Sequence, residues 1–101
     1  MIQYIIKRDG QKQKFDPSKI TNAIIKAIDA NPEINVGYYV ADTIADSISE
    51  KLSDRETVDV EEVQDMVENG LMNIRPDLAK KYILYREQRN IARKRKEMIQ
   101  K

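Results

Sequence analysis

From residue 17 to residue 85, apolar side chains recur at intervals of three and four, and prolines at 17, 32 and 76 cut the pattern into separate runs. That spacing puts one apolar stripe on each helix, and a helix with a single stripe must bury it against a neighbour. Asp16-Pro17 is a helix start, since Asp caps free amides and proline at the first helical position gives up no intrahelical donor. Ile20, Ala23, Ile24, Ala27 and Ile28 follow, until Asn31-Pro32 stops the run. A second stripe runs through Val40, Ile44, Ile48 and Leu52, with small Ala41 and Ala45 beside it, and predicts a helix beginning near Asn35. Asp59-Val60-Glu61-Glu62 fits a capping box ahead of Val60, Val63, Val67 and Leu71, with Gly70 a mild flaw. Arg75-Pro76-Asp77 restarts the chain as a last helix, whose Leu78, Ala79, Tyr82, Ile83 and Tyr85 face inward before the surface turns charged at Arg86. The predicted helices cover about 17–30, 36–52, 60–72 and 76–99 of a single domain spanning residues 1–101.

The segment ahead of these helices has a different period. Residues 2–15 hold β-branched and aromatic side chains on either side of Asp9-Gly10, a pair suited to a two-residue type I′ hairpin turn. That turn sets Arg8 opposite Gln11, Ile6 opposite Gln13 and Tyr4 opposite Phe15. The pleat then puts Tyr4, Ile6 and Phe15 on a core face and Ile5, Lys7, Lys12 and Lys14 on the other. A short extended piece near Thr57–Asp59 supplies a third strand. The fold class expected is therefore α+β, mainly α: a four-helix bundle capped by an N-terminal β-hairpin and a short third strand.

A net charge of +1 conceals a strong segregation. Residues 1–19 carry five Lys/Arg against two Asp, residues 20–85 carry six against thirteen acids, and residues 86–101 carry seven against two. If the two basic ends meet in space, they form one local anion site on an otherwise acidic domain. Lys7 and Arg8 before a tight turn, with Lys19 in the first turn of a helix, favour a triphosphate there. On spacing alone, Lys7, Lys12 and Lys14 serve equally well as solubilising charges that guard an exposed strand edge.

With no cysteine and no histidine, the chain has no thiolate ligand, no cysteine nucleophile and no imidazole acid or base. It also lacks a Gly-x-x-x-x-Gly-Lys-Ser/Thr phosphate loop. A binding domain that is not itself an enzyme is expected, with no metal site of its own. Short apolar runs and the absence of a signal-peptide pattern predict a soluble cytoplasmic chain with no membrane partner. A rival from another class is a small nucleic-acid-binding helical domain that uses the basic C-terminal helix, residues 89–96, on phosphates. The acidic middle and the lack of a base-reading helix weigh against it.

Ile5-Ile6-Lys7-Arg8-Asp9-Gly10 followed by Phe15-Asp16-Pro17-Ser18-Lys19-Ile20 resembles the opening signature of the ATP-cone family. Val58 to Glu68 resembles the family's third helix and Leu78 to Arg89 its fourth, in the right order, so the likeness covers essentially the whole chain. ATP-cones are known mainly as allosteric domains of ribonucleotide reductases, and also in a zinc-ribbon repressor of reductase genes. The lack of cysteine argues against the full-length repressor. Val67 to Met72 and Tyr85 to Arg89 are most similar to the anaerobic ribonucleoside-triphosphate type.

The resemblance implies that Lys7, Arg8 and Lys19 contact phosphates and that Arg89 completes the cationic wall, arginine's planar fork being suited to two phosphate oxygens. It implies that Ile5, Ile20 and Val60 flank an adenine while Gln64, both donor and acceptor, reads the base edge. Asp16 would serve the helix cap and the sugar or a phosphate-bound Mg2+, with Gln13 as a further polar contact. Arg86, Arg93, Lys94, Arg95 and Lys96 are expected to form a solvated helical face. The function implied is control of overall reductase activity by ATP or dATP, with the catalytic domain as partner and nucleotide-dependent self-association as the route. Such a switch requires each nucleotide to favour a different state.

Overall fold

The computed structural model describes residues 3–99, so Ile2 of the expected hairpin lies outside the described residues, and so does the side chain of Lys96. The elements run β1 (Tyr4–Ile6), β2 (Lys12–Lys14), α1 (Pro17–Ala30), a 3-10 turn (Pro32–Ile34), α2 (Tyr39–Lys51), β3 (Thr57–Asp59), α3 (Val60–Ile74) and α4 (Pro76–Ile99). Among the described residues these make four helices and one sheet of order β2-β1-β3, antiparallel between β1 and β2 and parallel between β1 and β3. The fold is α+β, as the apolar stripes and the hairpin composition imply. Parallel pairing of β1 with β3 needs a long crossover, and α1 and α2 provide it.

The hairpin differs from expectation by one residue. Tyr4 pairs with Lys14, Ile5 with Gln13 and Ile6 with Lys12, so the turn is a three-residue loop of Arg8, Asp9 and Gly10 closed between Lys7 and Gln11. Gly10 alone takes a positive φ, 86°, and its amide donates to the Lys7 carbonyl, while Asp9 Oδ1 accepts from the Gln11 amide. A type I′ turn would force Asp9 into the left-handed region as well; this loop asks it only of glycine. The shift exchanges the faces of β1. Ile5, not Tyr4 and Ile6, packs against the helices, Phe15 keeps its expected place there, and Lys12 Nζ sits 5.6 Å from the Tyr4 ring centroid on the opposite side.

The core is one cluster drawn from all four helices and β3. Ile24, Ala41, Leu71, Leu78 and Ala79 are fully sealed, and Val58 closes the sheet end. Asp16 caps α1 through Oδ1, which accepts from the Ser18 amide and hydroxyl. Helix α2 begins at Tyr39 rather than near Asn35, because the 3-10 turn ends with Asn35 in the left-handed region (φ 54°) and cannot run on into a helix. The capping box at Asp59 does not form: Asp59 is the last residue of β3, makes no side-chain cap bond, and Glu62 is held instead by Arg55. Gly70, an apparent weakness in α3, faces α2: a Cβ there would lie 2.8 Å from Ile44 Cδ1, so its absence permits the close approach.

Candidate functional site

The hairpin and the sheet-side ends of α1, α3 and α4 enclose a cleft of about 260 Å³. Ile5, Lys7, Arg8, Gln13, Asp16, Lys19, Ile20, Val60, Gln64 and Arg89 all line it. The observed register explains why the hairpin contributes as it does: Ile5, Lys7 and Gln13 share the face turned toward the helices. On α1, Asp16, Lys19 and Ile20 follow one another up the first turn. On α3, Val60 and Gln64 are one turn apart.

The wall chemistry is lopsided. Lys7, Arg8, Lys14, Lys19, Arg86, Arg89 and Arg93 line the cleft against a single carboxylate, that of Asp16, while Ala23, Val63 and Val67 form an apolar interior. Lys7 and Lys19 line the cleft, and among the described residues neither has a carboxylate within salt-bridge distance, though Lys19 acts on Asp16 through its charge. Asp16 is held below the ordinary aspartate range by the Ser18 hydroxyl and amide, against a small opposing effect of burial.

Arg8 is placed differently from the lysines. Its Nη1 donates to Asn90 Oδ1 at 2.7 Å, its Nη2 to Gln64 Oε1 at 3.4 Å, and its Nε pairs with Glu61 Oε1 at 2.6 Å. The tip of the hairpin is thereby tied to both α3 and α4. Glu61 in turn reaches Arg86 Nη2 at 2.6 Å, so one carboxylate bridges two arginines. Burial pushes the Glu61 carboxyl up, but the Arg86 hydrogen bond and the Arg8 charge outweigh it and leave it below the usual value.

Arg86 is not part of a solvated face. Its side chain is 17% exposed, lines the cleft and is held by Glu61, Glu68 and Asp65. Arg93 is exposed but also borders the cleft, whereas Lys94 and Arg95 face solvent. Helix periodicity carried the missing signal, because Arg86 and Arg93 lie three and four residues from Arg89 and so share its face. Phe15, Tyr82, Tyr85 and Asn90 also line the cleft, with the Arg89 guanidinium 5.8 Å from the Tyr85 ring centroid. Asn90 carried no such signal, since its role depends on where the hairpin tip falls.

No cluster of three or more His, Cys, Asp or Glu able to hold a metal ion occurs among the described residues. Among the same residues, no helix is long and apolar enough to cross a membrane. Chemically, the cleft suits a ligand with an anionic end for the basic rim and a flat uncharged end for the apolar interior.

Residues 3–91 match the ATP cone domain family. The chain is 41% identical to the vitamin B12-dependent ribonucleoside-diphosphate reductase of Thermoplasma acidophilum, over 98% of this chain and 13% of that protein. It is 39% identical to the anaerobic ribonucleoside-triphosphate reductase of Escherichia coli, over 95% of this chain and 13% of the relative. It is also 39% identical to a ribonucleoside-diphosphate reductase subunit alpha of Chlamydia pneumoniae, over 92% of this chain and 10% of the relative. The chain thus spans little more than a tenth of the length of these relatives.

Proposed function

The chain belongs to the ATP-cone family, and from that premise we propose that it binds ATP or dATP in the cleft and regulates a ribonucleotide reductase without doing chemistry itself. The observation that carries this is the cleft wall: seven Lys or Arg line it beside an apolar interior, Asp16 is the one carboxylate among the lining residues, and among the described residues only Arg8 and Arg86 of the seven are paired, with acids outside the lining. Lys7, Lys19 and Arg89 hold the phosphates. Ile5, Ile20 and Val60 flank the adenine, Gln64 reads its edge, and Gln13 adds a polar contact. Phosphate oxygens take the place of Glu61 at Arg8, exchanging one anion for another. Mg2+ enters with the triphosphate, and Asp16 is the carboxylate in the wall to meet it.

The reductase assignment rests on the names of the relatives and on the match of almost this whole chain to a small part of each. The stretches Val67 to Met72 and Tyr85 to Arg89 favour the anaerobic ribonucleoside-triphosphate type, acting in the cytoplasm. ATP and dATP differ by one hydroxyl, so a switch requires each to stabilise a different arrangement of the cone, its catalytic partner or a second copy. Against the nucleic-acid alternative, two of the basic residues it would use, Arg89 and Arg93, border the same cleft.

Calorimetric titration with ATP, dATP and GTP on the wild-type chain and Lys7→Ala tests the binding. Adenine-selective association in the wild type, weakened at least about tenfold (about 1.4 kcal/mol) in the variant, is expected. Equal affinity for GTP, or no loss in Lys7→Ala, would overturn the assignment of the site.

A further inference from the structure

Tyr82 is 7% exposed, and its hydroxyl has no hydrogen-bond partner among the described residues. Its neighbours Arg86, Arg89 and Glu68 are near enough to act on it through their charges, yet none of them bonds to it. No side-chain oxygen or nitrogen among the described residues is sealed off without a partner, so the unpaired Tyr82 hydroxyl keeps some exposure. Tyr82 lines the cleft. A hydroxyl on a nearly buried ring with no partner in the protein is free to bond a ligand that enters the cleft.

Helix directions give its depth. Helices α1 and α3 run away from the sheet and α4 runs back toward it. Asn90, which meets Arg8 of the hairpin, marks the mouth. Tyr82 lies eight residues before Asn90 on α4, or about 12 Å along the axis at about 1.5 Å per residue. The apolar part of the cleft lining is Ala23, Val63 and Val67, with Arg86 and Arg89 the cations nearest Tyr82. A phosphate would not desolvate among those apolar side chains, whereas a flat heterocycle would.

We infer that Tyr82 hydrogen-bonds the base of the bound nucleotide at the floor of the cleft, as a specificity contact additional to Gln64. The inference rests on the nucleotide reading above. Tyr82 donates its hydroxyl proton to a ring nitrogen of the base, and binding supplies the partner that the unliganded protein lacks.

Tyr82→Phe keeps the ring and removes only the hydroxyl. Titrating the full chain and the variant with ATP and with inorganic triphosphate, alongside a thermal melt without ligand, separates the possibilities. The variant is expected to bind ATP about 3- to 10-fold more weakly, the loss of one neutral hydrogen bond. It should bind inorganic triphosphate as the wild type does and melt unliganded at an unchanged or slightly higher temperature. Unchanged ATP affinity overturns the proposal, as does an equal loss for both ligands, which would put the hydroxyl at the phosphates. A lower unliganded melting temperature also overturns it, since the hydroxyl would then be serving the fold. Wild type that takes inorganic triphosphate but not ATP overturns the nucleotide reading itself.

Discussion

Replacing Arg86 with methionine keeps most of the aliphatic stem and removes the one cation that Glu61, Asp65 and Glu68 share. In the wild type the guanidinium reaches Glu61 at 2.6 Å, Glu68 at 2.5 Å and Asp65 at 3.4 Å, with its own side chain 17% exposed. The three acids differ in what they lose. Asp65 and Glu61 are 66% and 51% exposed, so water compensates them largely; Glu68, 21% exposed, is left as a poorly solvated charge. Removing one partner of a fully buried pair costs about 3–5 kcal/mol, and an exposed pair contributes about 0–1 kcal/mol. A site between those limits loses about 2 kcal/mol at neutral pH. For a domain of this size that is a fall of roughly 8–16 °C in Tm. The loss should also depend on pH. Glu61 is held below its usual 4.5 when folded, so its stabilisation is present above that value and disappears as pH falls through the lower folded value. Urea unfolding of wild type and Arg86→Met, followed by circular dichroism, should therefore show a gap at about pH 7 that narrows toward about pH 3. A gap below about 0.5 kcal/mol at neutral pH, or one that stays constant with pH, would refute the account of Arg86 as a charge hub.

Two further substitutions probe the scaffold beneath the cleft. Leu78 is completely buried, and Leu78→Ala should lower stability by about 2–5 kcal/mol, read as a shift in urea midpoint with an unchanged slope. Gly10 has a φ of 86° and nothing within 4 Å of a Cβ built on it, so Gly10→Ala should lose only about 1 kcal/mol through backbone strain. A thermal melt of Gly10→Ala checks this, and a larger loss would mean that the alanine disrupts more than the turn.

Much of the fold is legible because it is local. Ile20, Ile24, Ala27 and Ile28, like Val40, Ile44, Ile48 and Leu52, declare their buried faces through a period that a helix imposes wherever it packs. Pro17 after Asp16 marks a boundary by backbone chemistry alone. Two of the three cleft lysines were legible for a related reason: Lys7 lies beside a turn and Lys19 within a first helical turn, so both positions follow from nearby residues, whereas Lys14 carried no such signal.

The rest was decided between distant segments. Asp9-Gly10 is compatible with either hairpin loop, and the one that forms turns Ile5, rather than Tyr4 and Ile6, toward the helices beside Phe15. Asp59 and Glu62 have the right spacing for a capping box, but pairing with β1 and the pull of Arg55 outweigh it. Arg8 meets Asn90 across 82 positions of chain, and Arg86 meets Glu61 across 25. The amino-acid order alone determined where α1, α3 and α4 start, which face each helix buries and that both ends are basic, because period, capping and charge act over a few residues. Tertiary structure decided which basic groups are paired by acids and which face the cleft free, since an ion pair depends on separation in space and the chain's return path sets it.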